Sequence, residues 1–243
     1  MEVTLIASTT VLNERALPEG EGPRITEQWM PDLNDDRGVW QYVDDPDLLA
    51  EFAGRACYQS WDRPNPKTAT NAGYMANIIK QAHFSVLEHA SATFYVTGVS
   101  RSLTHELVRH RHLSFSQLSQ RYVDGREAEM VYPPALTEGD AWELDLAMGN
   151  IRAAYIKIVE LLEGRGLNKK ESRQAARAIL PNMTETKIVV TGNMRAWRDM
   201  LSKRYHVAAD AEIREFAKIV LGHLRSIAPN TFADIPEEPY GSK

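Results

Sequence analysis

The segment RHRHLSFSQLSQRY (109–122) gathers three guanidinium groups, two imidazoles and three serine hydroxyls into one short stretch. Leu113, Phe115, Leu118 and Tyr122 are interleaved with them. The apolar residues anchor the segment, so the polar ones point elsewhere. Arginine presents a fixed fork of donors that matches phosphate and carboxylate geometry. Several forks on one stretch point to a pocket for a ligand with more than one anionic group. A solvated helix face is the competing reading of any arginine-rich run. Two features count against it here. The charges are of one sign, with few acids nearby. Arg109 and Arg111 also lie about 200° apart on a helix, so both meet one ligand only if the helix ends there.

Other groups that could do chemistry are less organised. Five of the seven histidines fall between residues 83 and 112: His83, His89, His105, His110 and His112. The run from His105 through Glu106 to His110 looks like HExxH with one residue too many. Its two imidazoles sit about 140° apart on a helix and cannot clasp one zinc ion. His83, Glu88 and His89 have no standard ligand spacing, so no metal is expected. Ser119 lacks a GxSxG elbow. A ligand-binding hydroxyl and a turn or helix-cap serine both remain open for it. Cys57, the single cysteine, sits in RACY on a helix and reads as buried packing. The chain thus offers no obvious nucleophile and no redox-active side chain, and a cofactor would have to carry electrons. Arg195 and Arg204 lie about 180° apart on one helix. Different sites, different subunits or a broken helix would reconcile them. Asn193, after Gly192, is a good helix cap.

The elements that must position these residues follow from periodicity. VTLIAST (3–9), SATFYVTGV (91–99) and TKIVVT (186–191) read as strands. Residues 11–44, with Pro18, Gly20, Gly22 and Pro23, read as loop, as does WDRPNPKT (61–68). Asp45 caps a helix that opens with Pro46 and runs towards Cys57. Helices are expected at about 71–82, 100–111 and 168–180, the last ended by Pro181. Residues 141–164 carry Leu144, Met148, Ile151, Tyr155, Ile158 and Leu162, the spacing of a long amphipathic helix for core or subunit packing. Another helix starts near Asn193. A last one carries Ile213, Phe216, Val220, Leu224 and Ile227 and stops before Pro229. Strands are few and not strictly alternated with helices, so the fold class is α+β: a mixed or antiparallel sheet flanked by long helices, in a single domain over 1–243.

Bulk properties narrow the function. With 43% hydrophobic and 25% charged residues, the chain has ordinary globular composition. A net charge of −5 argues against a general nucleic-acid binder, so the basic cluster at 101–126 suits a small anionic ligand. One cysteine permits no intramolecular disulfide, which suits a reducing cytosol. MEVTLIASTT has no basic n-region and no apolar core of signal-peptide length. No run of about 18 apolar residues exists for a membrane span. GxGxxG and GxxxxGK[ST] are absent, so a nucleotide must be held without a Rossmann or P-loop turn.

Arg109-His110-Arg111, followed after seven residues by Ser119, resembles the signature of the flavin-dependent thymidylate synthases. The resemblance extends to HFSVLEH (83–89), RAILP (177–181) and TGNMRAW (191–197), in family order across roughly residues 48–235. It implies conversion of dUMP to dTMP, with 5,10-methylenetetrahydrofolate giving the carbon, FAD carrying hydride and NADPH reducing the flavin. It also implies a cytoplasmic homotetramer whose active sites are shared between subunits, with no nucleic-acid or membrane partner. By position, Arg109, His110 and Arg111 match the flavin-holding motif. Ser85, Gln117, Asn193 and Arg195 match further flavin contacts. Glu106, Arg109, Gln117, Ser119, Gln120, Arg121 and Arg177 match the dUMP pocket. His83 matches a histidine beside flavin and folate, and Arg204 the arginine that polarises the uracil ring. Two positions depart from the family pattern. Ala208 stands where a histidine is common, with His206 two residues earlier. Asp199 stands where an Asn or His contacts the flavin. A nucleotide-binding protein without turnover and a metal-dependent phosphohydrolase are the alternatives.

Overall fold

The computed structural model describes residues 1–11, 44–60 and 65–242. Nearly all of the loop expected at 11–44, and residues 61–64 of the loop expected at 61–68, lie outside the described residues. The described strands are β1 (Glu2–Ser8), β2 (Ser91–Ser100), β3 (Ser114–Gln117) and β4 (Glu185–Asn193). They form one sheet in the order β1-β2-β4-β3, with every neighbouring pair antiparallel. The described helices are α1 (Asp45–Tyr58), α2 (Asn71–Lys80), α3 (Arg101–Leu107), α4 (Glu138–Gly164), α5 (Lys169–Ala176), α6 (Met194–Arg204) and α7 (Ala211–Ile227). Short 3₁₀ turns lie at Pro66–Thr68, Phe84–Glu88 and Arg177–Ile179. The α+β class read from the sequence is the class observed.

The sheet buries one face, as strand alternation requires. Ala92, Phe94 and Val96 of β2 and Ile188, Val190 and Gly192 of β4 point inward, whereas Tyr95 is 39% exposed on the other face. Over the buried face lies α6, which contributes Trp197, Met200 and Leu201. Beside it α7 contributes Ile213, Phe216, Val220 and Leu224, the period expected of it. Trp197 meets Phe94 edge-on, with ring centroids 5.0 Å apart. Its indole N–H donates to the Ala92 carbonyl at 3.2 Å.

Several boundaries differ from the sequence expectation. The helix expected at 100–111 stops at Leu107. Beyond it Leu107, His110 and Leu113 are buried at every third residue, and the chain turns tightly through His110 N–H to Leu107 O and Leu113 N–H to His110 O. That spacing belongs to a tight turn, not to an α-helix. The helix expected at 168–180 ends at Ala176 and tightens into the 3₁₀ turn at Arg177. At the start of α1, Asp44 holds the cap position without a side-chain cap bond, and Asp45 falls in the first turn. Four-residue β3 is too short to show alternation and arises from pairing with β4. Cys57 is exposed, a correction to its reading as buried packing. The buried positions of α1 stop at Arg55, so the last turn projects beyond the core among the described residues.

Gly192 links the sheet to the segment at 109–122. A Cβ built there would lie 2.3 Å from Leu113 Cδ2 and 3.2 Å from Trp197 Nε1. Space rather than backbone conformation demands glycine, since its φ is not positive. Gly192→Ala is expected to cost about 1–3 kcal/mol through overpacking. The check is a lower midpoint of chemical denaturation at unchanged m-value. A variant as stable as the parent would show that Leu113 and Trp197 have room to move.

Candidate active site

The tight turn after α3 sorts its side chains by burial. Leu107, His110 and Leu113 face inward, at 0%, 8% and 6% exposure. Arg109, Arg111 and His112 are exposed. The helix ends at Leu107, before the arginine pair, so Arg109 and Arg111 sit on the turn and not on one helix. Neither Arg109 nor Arg111 has a protein acceptor among the described residues, so both forks are open to a ligand.

His110 turns instead towards α6. Its Nε2 accepts from Arg204 Nε at 3.0 Å. Arg204 Nη1 donates to Glu106 Oε2 at 2.5 Å, and Nη2 donates to the Glu106 carbonyl at 3.1 Å. One guanidinium is therefore held by three acceptors from α3 and the turn that follows it. Burial, and then the positive charge of Arg204, push the His110 pKa below the ordinary imidazole value. His110 is thus neutral, and accepting at Nε2 assigns its proton to Nδ1. That nitrogen faces Asp199 Oδ2 at 3.7 Å. Asp199 spends both carboxylate oxygens on Lys203 Nζ, each at 2.7 Å. Glu106 is raised above the usual carboxylate range, chiefly by burial and then by neighbouring Asp210, with Arg204 opposing.

Other expected residues fall elsewhere. At the opposite end of α6, Asn193 Oδ1 accepts from Ala196 N–H at 2.8 Å, the cap expected of it. Arg195 donates to Glu88 Oε1 at 2.5 Å. Exposed His83 and Ser85 lie at the same 3₁₀ turn as Glu88. Nine residues of helix separate Arg195 from Arg204 by about 14 Å of rise. Ser119 closes a turn: its carbonyl accepts from the Tyr122 and Val123 N–H groups, and its Oγ accepts from Arg121 N–H at 3.4 Å. No base is bonded to that hydroxyl among the described residues. Half-buried Gln120 and Arg121 follow it in the turn. At the Ala208 departure, the Ala208 N–H donates to His206 Nδ1 at 3.0 Å, and residue 206 bridges to Tyr240. His206 is thus engaged with its own loop.

One residue of the basic cluster at 101–126 was given no role of its own by the sequence. Arg101 lines a cleft of about 310 Å³ together with Thr104, His105, Val108, Gln117 and Asn182. Its Nη1 is buried with no hydrogen-bond partner. Gln117 donates to Thr104 Oγ1 at 2.9 Å and to Thr186 Oγ1 at 3.2 Å, which fixes its amide at the cleft wall. Nothing in local sequence separates Arg101 from any other helix-start arginine; only the packing around it does. His105 faces this cleft while His110 is buried against α6, so the two imidazoles are engaged apart. Among the described residues no group of three or more His, Cys, Asp or Glu side chains could hold a metal ion. No described helix is long and apolar enough to cross a membrane.

Comparison with known proteins accords with this geometry. The family model described as thymidylate synthase complementing protein matches residues 38–230. The flavin-dependent thymidylate synthase of Mycobacterium avium (strain 104) is 55% identical over 195 residues, covering 76% of this chain and 78% of that protein. That of Mycobacterium tuberculosis (strain ATCC 25618 / H37Rv) is 56% identical over 196 residues, with the same coverage. In fold, the chain is similar to the crystal structure of thymidylate synthase X from Helicobacter pylori with FAD and dUMP. The TM-score is 0.65 at 21% identity, over 96% of this chain and 98% of that one.

The buried imidazole sets a pH dependence. The folded pKa of His110 is depressed, so the unfolded chain binds the extra proton as pH falls below about 6.5, the ordinary value. Stability from this group is present above that value and is lost on acidification through and below it. Thermal midpoints measured between about pH 7 and about pH 5.5 should fall more steeply for the parent than for His110→Gln, which keeps an acceptor for Arg204 but cannot titrate. Equal slopes would show that His110 charges as readily in the folded state as in the unfolded one.

Proposed function

The chain belongs to the flavin-dependent thymidylate synthases, and from that premise we propose how its residues divide the work of converting dUMP to dTMP. FAD, 5,10-methylenetetrahydrofolate and NADPH are the cofactor, carbon donor and reductant of this reading. The observation that carries it is the division made by the turn after α3: His110 inward onto Arg204, Arg109 and Arg111 outward and unpaired. Bound FAD would supply hydride chemistry, which requires no enzyme thiol.

The residues present fit such a cofactor. Arg109 and Arg111 offer open forks of the kind that take phosphate oxygens. Ser85, Asn193 and Arg195 cluster at the far end of α6, about 14 Å along the helix from Arg204. An extended dinucleotide, or sites completed by neighbouring subunits, spans that distance. His110 serves the flavin region by fixing the turn. Asp199 reaches a flavin only if its pair with Lys203 opens.

Arg204 has a defined job in this reading. A guanidinium carries five N–H donors, and three are already spent, one each on His110 Nε2, Glu106 Oε2 and the Glu106 carbonyl. Two remain for the uracil ring. A permanent cation held beside that ring stabilises the charge left when its N3 proton departs. Glu106, Arg109, Gln117, Ser119, Gln120, Arg121 and Arg177 hold the rest of the nucleotide, and His83 stands beside flavin and folate. Ser119 binds; it does not attack, since it has no base.

The protein acts as a cytoplasmic homotetramer of single-domain subunits. Supporting this, Trp142 and Leu146 are each 62% exposed and Leu161 53% exposed on α4, while the cluster on its inner side is small: Tyr155, Val159 and Ala176. Trp142 and Leu146, one helical turn apart, form an exposed apolar pair that suits packing against a neighbouring subunit. The active species should scatter light as a tetramer; a fully active monomer would overturn the shared site.

The catalytic reading is tested with purified protein loaded with FAD and given dUMP, methylenetetrahydrofolate and NADPH. Visible flavin absorbance and dTMP formation are expected. Protein that takes up no FAD would overturn the reading. Arg204→Ala should cut turnover about a hundredfold, the worth of one transition-state charge contact of about 3 kcal/mol, with a smaller effect on dUMP affinity. Unchanged turnover would remove Arg204 from the chemistry.

A further inference from the structure

Arg204 is the last residue of α6, and Tyr205 caps the helix. Helix ends fray, because their last carbonyls have no partner within the helix. A left-handed glycine is a common stop. None follows here: the next residues are Tyr205, His206, Val207, Ala208 and Ala209. The bonds to His110 and Glu106 hold the Arg204 guanidinium. They leave the backbone at the root of that side chain to be fixed by something else.

The C-terminal segment does this. Tyr240 N–H donates to the Tyr205 carbonyl at 2.9 Å, and Val207 N–H donates to the Tyr240 carbonyl at 3.0 Å. These two bonds make a parallel bridge between His206 and Tyr240. Buried Tyr205 also donates its hydroxyl to the Glu237 carbonyl. Beside the bridge, Gly241 has a φ of +83°, and a Cβ there would lie 2.9 Å from Val207 Cγ2 and 3.1 Å from His206 Cε1. Only glycine suits both that conformation and that space. Upstream the segment is rooted. Asp234 takes both ends of the Arg198 fork at 2.7 and 2.8 Å, and Glu237 accepts from Arg225 at 2.7 Å. Phe232 and Ile235 are buried. A fixed root and a bonded tip make the segment a strap across the end of α6.

We propose that the segment 231–242 is a positioning strap for Arg204: by pinning Tyr205, it sets where the guanidinium presents its two remaining donors to the nucleotide. The inference rests on the reading of Arg204 as the cation beside the uracil ring. Tyr205 and Gly241 are positioning residues, acting through Arg204 and not on the substrate. Loosening the strap lets the last turn of α6 fray, so Arg204 keeps its charge but loses its aim. Misplacing a group by about 1 Å costs up to about a hundredfold in rate. A strap variant therefore loses at most what Arg204→Ala loses.

The test is a double-mutant cycle on FAD-loaded enzyme, reading kcat, the dUMP dissociation constant and flavin content. Gly241→Val wedges a side chain against Val207 and His206. Tyr205→Phe removes one strap bond and keeps the ring. Each should lower kcat about 10-fold, within the ceiling above. Flavin content and dUMP affinity should stay within about twofold of the parent. In the Arg204→Ala background each should lower kcat by less than about twofold further, because an absent guanidinium has no aim to lose. A strap that served only general stability would lower kcat by the same factor in both backgrounds, and equal factors overturn the assignment. Parental kcat in folded Gly241→Val and Tyr205→Phe also overturns it. If Gly241→Val fails to fold, Tyr205→Phe decides by the same readings. An Arg204→Ala enzyme with parental turnover overturns the reading of Arg204 and this inference with it. Strap variants at parental turnover, beside an Arg204→Ala enzyme that has lost it, overturn this inference alone.

Discussion

The hydrogen bond from Arg204 Nε to His110 Nε2 joins two parts of the chain far apart in sequence, and the site is organised around it. On one side lies the turn after α3, on the other the last turn of α6. His110 accepts this bond only while neutral, and burial beside a permanent cation keeps it so. Glu106, one turn earlier, supplies two further acceptors and the compensating charge. A guanidinium held at three points loses little further freedom when it meets a ligand. The same bond sets the orientation of the turn, because burying His110 forces Arg109 and Arg111 outward.

A firm scaffold stands behind that contact. Helix α6 cannot shift without moving Trp197, which is locked between Phe94 and the Ala92 carbonyl. The turn cannot shift without moving Leu113, which fills the space left by Gly192. Farther out, buried Asp47 accepts from the N–H groups of Asn230 and Thr231 at 2.7 and 2.9 Å, which ties α1 to the C-terminal segment. Arg55 links α1 to Thr68 through a 2.7 Å bond. Polar groups buried this deeply are costly unless fully bonded, so such a network specifies one arrangement of the elements.

The cations fall into three physical classes. Arg198 and Arg225 are spent on carboxylates, Asp234 and Glu237, and hold the C-terminal segment. Arg204 is spent partly, with two donors in reserve. Arg109 and Arg111 find no protein acceptor among the described residues, and single nitrogens of Arg101 and Arg121 are buried without one. Arginine count alone does not distinguish these classes. Pairing does, and a site for anions is recognised by the guanidinium groups that the fold leaves without partners.

Much of this was legible in the sequence. Alternation in SATFYVTGV and the regular apolar spacing from Ile213 to Leu224 define β2 and α7, because each pattern buries one face of one regular element, up to the irregularity between Val96 and Val99 in β2. The 200° separation of Arg109 and Arg111 means that both meet one ligand only off a helix, and α3 stops at Leu107, short of the expected 111 and before either arginine. The resemblance in four blocks placed the chain in its family. Boundaries were less legible. Helix α3 stops at Leu107 because a tight turn buries His110, and that depends on Arg204, 94 residues later. Strand β3 exists because β4 offers an edge to pair with. The roles of His110, as an inward clamp, and of Arg101, as a half-buried cation with one unpaired nitrogen, were decided only by tertiary structure. Local sequence sets which way a side chain points from its own element. Whether it finds an acceptor there depends on residues that only folding brings within 3 Å or so of it.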